Sequence, residues 1–514
     1  MVRSRMEDVW PLSPLQEGML FHASFDDDGP DVYQSQRTLD LDGPLDAARL
    51  RAAWEAVVAR HASLRASFRW RGSGQAVQVI ASEARPPWRE EDLSGRGSAD
   101  QVARAVEELA AGERERRFDL TRAPLLRLLL IRLADDRHVL VITSHHLILD
   151  GWSMPLMLDE VTAVYAGAEP PPEHSYRDYL AWLGRQDQAA SLAAWQAELA
   201  GVDEPTLVAP ADPTRVAALP ESVITEVPAA LAKQLAELCR AFDLTLSTVF
   251  QAAWALLLAR LSGRTDVVFG TTVAGRPAEL PGVERMVGMF INTVPVRVRL
   301  QGGLSVLELL RNLQKQQVAL MDHQYLGLTR IQQAAGPGAV FDTLVVYENY
   351  PHTSGESAPG SLTVRANPGR EVAHYPLTLV VAPVDTGDVV LKLDHLPQLF
   401  SRESATAMLG RLTRMLEQLA DPEATVAGAG GVAAPDELER LVRWAGNGAV
   451  HTGGASSVVE LIEDRVARAP DAVAVTWRGS SLTYGKLWER AGRLAGVLAA
   501  RGVGRGDRVA VVMD

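Results

Sequence analysis

His145-His146-Leu147-Ile148-Leu149-Asp150-Gly151-Trp152-Ser153 is the stretch on which the fold and chemistry of this chain turn. It follows the run His138 to Thr143, which reads as a strand, and precedes Trp152 to Ala166, which reads as a helix. Adjacent side chains on an extended segment point to opposite faces. The two histidines therefore have different tasks: one faces a cavity and the other is buried as its support. Gly151 stands at the strand-to-helix transition, where a missing Cβ lets backbone approach a ligand closely. Asp150, at the helix start, can cap it or pair with a distant cation. Two satisfied histidines at a strand end are the plain alternative. A metal site fits poorly, because neighbouring histidines on a strand diverge and no carboxylate or cysteine cluster accompanies them.

The segments on either side set the class. Leu125 to Leu133 reads as a strand joined to His138–Thr143 through the turn Ala134-Asp135-Asp136. Asp46 is an N-cap for a helix to His61, with Leu50, Trp54, Val57, Val58 and His61 on one face. Leu64–Trp70 and Ala76–Ile80 read as strands, and Ala99–Arg117 as a charged helix. Pro170-Pro171-Pro172 marks a break. Beyond it, helices are expected at Ala229–Phe242, Ser247–Leu261, Leu304–Gln324 and Ser401–Leu419, and strands at Asp266–Gly270, Thr293–Leu300 and Thr343–Tyr347. His352–Ser361 is a Ser-, Gly- and Pro-rich loop. Ala427–Pro435 and Gly446–Ser456 are soft, linker-like stretches. From Val458 a new pattern begins: a helix to Arg468, a strand at Val473–Trp477, a helix at Tyr484–Arg501 and a strand at Arg508–Val512. The chain stops directly after it, as expected of a piece of a longer one. The order predicts an α/β class with mixed sheets: units at 1–178 and 179–425, a linker at 426–457 and a fragment at 458–514.

Bulk properties narrow the function. Hydrophobic residues are 47% of the 514 and charged residues 22%, enough for a sizeable core. The net charge of −13 argues against a nucleic-acid partner, which needs a basic surface to replace counterions. One cysteine, Cys239, rules out an internal disulfide and thiolate-rich zinc sites, and reads as a packing residue. Met1–Trp10 carries charges and no apolar core, and no apolar run reaches the ~18 residues of a membrane span. A cytoplasmic protein without a membrane partner is expected.

The His145–Ser153 stretch resembles the HHxxxDG signature of nonribosomal peptide synthetase condensation domains and the wider chloramphenicol acetyltransferase-like superfamily. Other stretches follow in the order of that family over about residues 7–425. They are Ser13-Pro14-Leu15-Gln16-Glu17-Gly18-Met19-Leu20-Phe21-His22, Arg60-His61-Ala62-Ser63-Leu64-Arg65, and Arg117-Phe118-Asp119-Leu120 leading to Pro124-Leu125-Leu126-Arg127. Tyr176-Arg177-Asp178-Tyr179 to Trp182, Val287-Gly288-Met289-Phe290-Ile291-Asn292-Thr293, His323 to Leu328 and His374-Tyr375-Pro376-Leu377-Thr378 complete the set.

The resemblance implies two chloramphenicol acetyltransferase-like lobes in a V with a central tunnel. Donor and acceptor carrier proteins are the expected partners. Their 4'-phosphopantetheine arms carry the thioesters, and no cofactor is covalently bound to this chain. His146 is expected in the tunnel, as general base or as the group that orients the acceptor amine. The Gly151 amide is the expected oxyanion donor, His145 structural support, and Asp150 the partner of Arg276 in Gly275-Arg276-Pro277. Trp152, Ser153, Met289, Asn292, Tyr375 and Thr378 are expected along the tunnel, although Asn292 can equally satisfy backbone groups. Arg60-His61 is expected to cap and pack a helix, and Tyr176–Trp182 to pack between lobes. Arg114, Arg116 and Arg117 are expected to form a solvated helix face, with a carrier-protein contact as the alternative.

Ser13–His22, Asp150-Gly151-Trp152-Ser153 and Phe290-Ile291-Asn292-Thr293-Val294-Pro295-Val296-Arg297 resemble domains that take a donor with a D-configured terminal residue. That subtype implies an upstream epimerization domain as a further partner. An epimerization domain itself shares the two histidines but carries a late Glu-Gly-His motif that is missing here. Heterocyclization domains replace the histidine signature. Arg465-Val466-Ala467-Arg468-Ala469-Pro470-Asp471-Ala472-Val473-Ala474-Val475 and Leu482-Thr483-Tyr484-Gly485-Lys486-Leu487 resemble the start of an adenylation domain, without its phosphate-cradling loop. Gly453-Gly454-Ala455-Ser456-Ser457 sits in the linker and is not read as a carrier attachment motif. Two competing functions remain: a non-catalytic platform that recruits another enzyme, and a coenzyme A acyltransferase, which the adenylation start disfavours.

Overall fold

A computed structural model describes residues 5–25, 31–72, 74–210, 218–349, 362–367, 369, 373–384, 387–429, 433, 435–445, 457–477, 479–504 and 506–511. The expected loop at His352–Ser361 and the soft stretch at Gly446–Ser456 lie outside these residues. The chain forms two compact units, Met1–Ala434 and Pro435–Asp514. The cut falls inside the stretch expected as linker.

In the first half of the larger unit lie β1 (Met6–Trp10), β2 (Gln34–Asp42), β3 (Ala66–Trp70), β4 (Ala76–Ala81), β5 (Trp88–Asp92), β6 (Leu126–Ala134) and β7 (Arg137–His145). Its helices are α1 (Pro14–Phe25), α2 (Ala47–Arg60), α3 (Ala99–Glu115), α4 (Ser153–Ala166), α5 (Tyr176–Leu183) and α6 (Gln188–Leu199). The second half adds β8 (Glu221–Val227), β9 (Asp266–Val273), β10 (Asn292–Arg299), β11 (Thr343–Tyr347), β12 (Thr363–Ala366), β13 (Leu377–Pro383) and β14 (Val389–His395). With them come α7 (Ala229–Phe242), α8 (Leu246–Ser262), α9 (Val306–Ala319), α10 (Leu328–Ala335), α11 (Arg402–Leu419) and α12 (Val426–Ala429). The expected boundary at 178/179 falls inside α5.

β6 and β7 explain why the near-continuous apolar run reads as strand. They pair antiparallel, Leu126 opposite Ser144, in the sheet β12-β2-β7-β6-β5. Alternation divides their side chains between two cores. Leu126, Leu128, Leu130, Leu140 and Ile142 join the large core with α2 and α4. Leu129, Ile131, Val139 and Val141 pack under Ala110 of α3. Both faces are covered, so the strands carry little polar alternation. His145 ends β7 on the face of Val139 and Val141. β12 crosses over from the second half to pair with β2, Thr363 opposite Asp42.

The second sheet runs β10-β9-β11-β13-β14-β8, with β11 parallel to both neighbours. One face packs on α7, α8, α9 and α11 in a single core that includes Cys239. The opposite face carries Val268, Phe341, Leu344 and Tyr375. Val283, Met286, Val287, Met289 and Phe290, from the segment after β9, are buried in the first half's core. That segment docks on the His145–Ser153 loop. α7 and α8 form a bent apolar pair, but no single described helix is long and apolar enough to cross a membrane.

Three expectations need correction. α9 ends at Ala319 and gives way to a 3-10 turn at Met321–His323, held by Trp195 Nε1 donating to the His323 carbonyl (2.9 Å), so the helix does not run to Gln324. Residues 508–511 pair with no strand and form none; Val511 is 73% exposed. The arginine run is no simple solvated face: Arg114 reaches Gln36 (2.5 Å), Arg116 reaches Glu113 (2.9 Å) and Arg117 reaches the Ala23 carbonyl (3.3 Å).

The smaller unit contains α13 (Pro435–Trp444), α14 (Val458–Arg468), the hairpin β15 (Val473–Trp477) and β16 (Ser480–Thr483), and α15 (Tyr484–Ala500). None of its described residues is buried.

Candidate active site

From His138 to Gly151 every residue except His146 is buried. His146 is thus the one partly exposed residue of the run, and its neighbours hold it. Its backbone N–H donates to the Tyr33 carbonyl (2.9 Å). Its ring Nδ1 lies 3.4 Å from the Leu149 carbonyl. A ring nitrogen facing a carbonyl carries the proton, which leaves Nε2 with its lone pair. His145 is fully enclosed and points the other way. Its Nδ1 accepts the Leu147 N–H (3.1 Å), and its Nε2 lies 3.2 Å from Asp31 Oδ2.

Asp150 both caps and pairs. Oδ1 accepts the Ser153 N–H (2.8 Å) at the start of α4, and Oδ2 accepts the Phe290 N–H (3.0 Å). Arg276 Nη2 stands 3.4 Å from Oδ1, with both side chains at most 5% exposed. Arg276 also donates to Ser153 Oγ (2.9 Å) and to the Met286 and Val283 carbonyls, and lies over the Phe290 ring (3.8 Å). Desolvation lowers the Arg276 pKa, and the Asp150 charge opposes that shift. The Gly288 carbonyl receives both the Asp150 N–H (3.1 Å) and Ser153 Oγ (3.0 Å). Gly288 is needed there, since a Cβ would stand 2.4 Å from the Tyr176 ring. Among the described residues nothing accepts the N–H of buried Gly151.

The other expected residues divide. Trp152 is partly exposed and its Nε1 donates to the Glu284 carbonyl (3.0 Å). Ser153, Met289, Asn292 and Thr378 are nearly enclosed, so they offer a ligand little surface. Asn292 donates to the Gln324 (2.7 Å) and Leu326 (2.9 Å) carbonyls, the backbone-satisfying alternative. Thr378 Oγ1 is buried with no partner among the described residues. Tyr375 stacks on Phe341, centroids 6.0 Å apart, and lies 4.2 Å from the His374 ring.

Asp31, Tyr33, His22 and His374 carry no site role on sequence grounds. Tyr33 bonds His374 Nδ1 (3.0 Å), and His22 stacks on His374 (4.9 Å). Desolvation, with His22 as second cause, pushes His374 down to about 3. His374 is nonetheless an exposed residue. Tyr33 Oη and His374 Nδ1 share a single hydrogen bond. His22 and His374 fall within family-like stretches; nothing in the pattern marks Asp31.

Residues 6–430 match the family described as Condensation domain. The chain belongs to the condensation domain family. Behind the condensation domain, residues 462–514 match the family described as AMP-binding enzyme, as the start of such a domain. One linear gramicidin synthase polypeptide of Brevibacillus parabrevis is 36% identical over 525 residues, covering 99% of this chain and 10% of that protein. Surfactin synthase subunit 3 of Bacillus subtilis (strain 168) is 32% identical over 521 residues, covering 99% of this chain and 40% of that protein. The chain thus spans a minor part of the synthases it matches. The first condensation domain of the CDA synthetase has a TM-score of 0.66 at 21% identity, covering 84% of this chain and 99% of that one, a likeness of fold. The X-domain from teicoplanin biosynthesis has a TM-score of 0.68 at 27% identity, covering 81% and 96%. The mixed α/β architecture is that of condensation domains.

Proposed function

We propose that the condensation domain forms a peptide bond between two carrier-borne thioesters. The amine of the acceptor attacks the donor's thioester carbonyl carbon. A C–N bond forms, the carbonyl electrons move to oxygen, and the Gly151 N–H donates to that oxyanion. His146 Nε2 takes or orients the ammonium proton. The C–S bond then breaks, the carbonyl re-forms, and the thiol leaves with that proton. The observation that carries this reading is the pairing, on one loop, of a histidine with an open Nε2 and a buried N–H without an acceptor. An unpaired buried N–H costs about 1–3 kcal/mol, so it is retained for an acceptor brought by another molecule. Aligned donors of this kind act on charge that develops in the transition state. Holding both reactants together can supply about 7–11 kcal/mol, whereas a positioned base adds ~10²–10⁴-fold, so orientation is the larger effect.

The thioesters ride on phosphopantetheine arms of donor and acceptor carrier proteins, which are substrates here. An adenylation domain follows downstream. The resemblance of Ser13–His22 and Phe290–Arg297 supports a D-configured donor residue and an upstream epimerization partner. The test is a condensation assay with matched D- and L-aminoacyl donors, a glycine-like acceptor and intact-mass detection. Product that needs His146 and favours the D donor supports both claims; product without stereochemical preference removes the subtype.

A second reading, recruitment of another enzyme, draws support from the X-domain solved in complex with OxyB, 25% identical with a TM-score of 0.68. No product from well-loaded carriers that bind would favour it.

A further inference from the structure

We propose that Asp31 is a positioning residue that sets the tautomer of His145 and, through it, the backbone on both sides of His146. The inference rests on the reading of His146 as the group that meets the amine. Asp31 and His145 are 3% and 0% exposed, and Asp31 Oδ2 stands 3.2 Å from His145 Nε2 in a bent contact. Oδ1 of the same carboxylate accepts the Tyr33 N–H (3.0 Å). Since His145 Nδ1 accepts the Leu147 N–H, the ring proton belongs on Nε2, facing Asp31. Among the described residues no other acceptor reaches that nitrogen.

The carboxylate is suited to this task. Burial raises its pKa, but the neighbouring His145 ring, the Tyr33 N–H and Arg117 together hold it below the usual range. Two residues on, the Tyr33 carbonyl accepts the His146 N–H (2.9 Å). One short segment, Asp31 to Tyr33, therefore grips the peptide before His146 directly and the peptide after it through the His145 ring. Phe118 closes the ring's side, edge-on at 6.4 Å.

Asp31→Asn keeps the shape and spoils the pattern. Asp31 meets Tyr33 with Oδ1 and His145 with Oδ2, so an amide leaves an NH₂ at one of the two positions; the Tyr33 N–H keeps the oxygen, and an NH₂ facing Nε2 would move the ring proton to Nδ1, against the Leu147 N–H. The measurement is steady-state condensation by the full chain, with ¹⁵N-histidine NMR of the ring nitrogens. The expected result for Asp31→Asn is a loss of kcat of tenfold or more, KM for both loaded carriers within about twofold, and a changed His145 tautomer. Asp31→Ala should show the same kcat loss, and its folded fraction by circular dichroism corrects for any misfolding. An unchanged His145 tautomer, or a kcat loss no larger than the loss of folded protein, overturns the proposal. His146→Ala is run beside them: if it stays fully active, the site reading fails, and the tautomer measurement alone then decides the Asp31 claim.

Discussion

The inner and outer faces of the His145–Ser153 loop differ in what their polar groups meet. On the inner face His145 meets Leu147 and Asp31, and Asp150 meets Ser153, Phe290 and Arg276. On the outer face His146 keeps Nε2 open and the Gly151 N–H has no acceptor among the described residues. Buried polar groups in folded proteins are nearly all paired. Within nine residues the contrast separates groups that hold the loop from the groups to which the proposed reaction assigns the substrate.

That contrast breaks first at His146. His146→Ala should lower condensation kcat by ~10²–10⁴-fold while leaving thermal unfolding almost unmoved. A lowered melting temperature instead would assign His146 to the inner face. Arg276→Leu should do the reverse and cost about 3–5 kcal/mol in denaturant unfolding, because Asp150 is left as a buried unpaired charge. A cost below ~1 kcal/mol would mean the Ser153 and Phe290 amides suffice for Asp150.

A pH series sharpens the comparison. His374 titrates near 6.5 when unfolded and is held at about 3 in the fold. Between those values the unfolded chain binds more protons, so stability falls as pH drops from about 6.5 towards 3 and is complete above 6.5. In His374→Phe part of that slope should vanish in unfolding followed by circular dichroism. Asp46→Ala, remote from the loop, should cost only ~1 kcal/mol through the lost cap on Arg49 N–H and leave kcat alone.

The loop itself was readable because its residue types are fixed by chemistry and sit at a strand end. The Asp150–Arg276 contact spans 126 positions, and only the family resemblance suggested it. β2 was not foreseen. Its opening is Gln-Ser-Gln-Arg; Gln34, Ser35 and Gln36 are buried, and Gln36 Nε2 bonds the Ala110 carbonyl (2.8 Å) and Thr143 Oγ1 (3.1 Å). A strand whose buried side chains are satisfied by a neighbouring helix and strand lacks the apolar alternation that reveals strands. Asp31 went unseen for the same reason, since its partner lies on β7. The fragment after Val458 shows the opposite failure: local periodicity gave α14, β15 and α15, but a strand at Arg508–Val512 needs a neighbour to hydrogen-bond, and 508–511 have none.

β12 has a consequence for how the protein is made. Arg365, on that strand, bonds Asp42 Oδ2 (2.7 Å) across 323 positions. At a synthesis rate of ~5–20 residues per second, β2 leaves the ribosome roughly 15–65 s before its outer neighbour exists. For that interval the sheet holding His145 has an uncovered edge, the kind of surface on which nascent chains pair wrongly. A long assembly line that repeats this domain would meet the same hazard once in every copy.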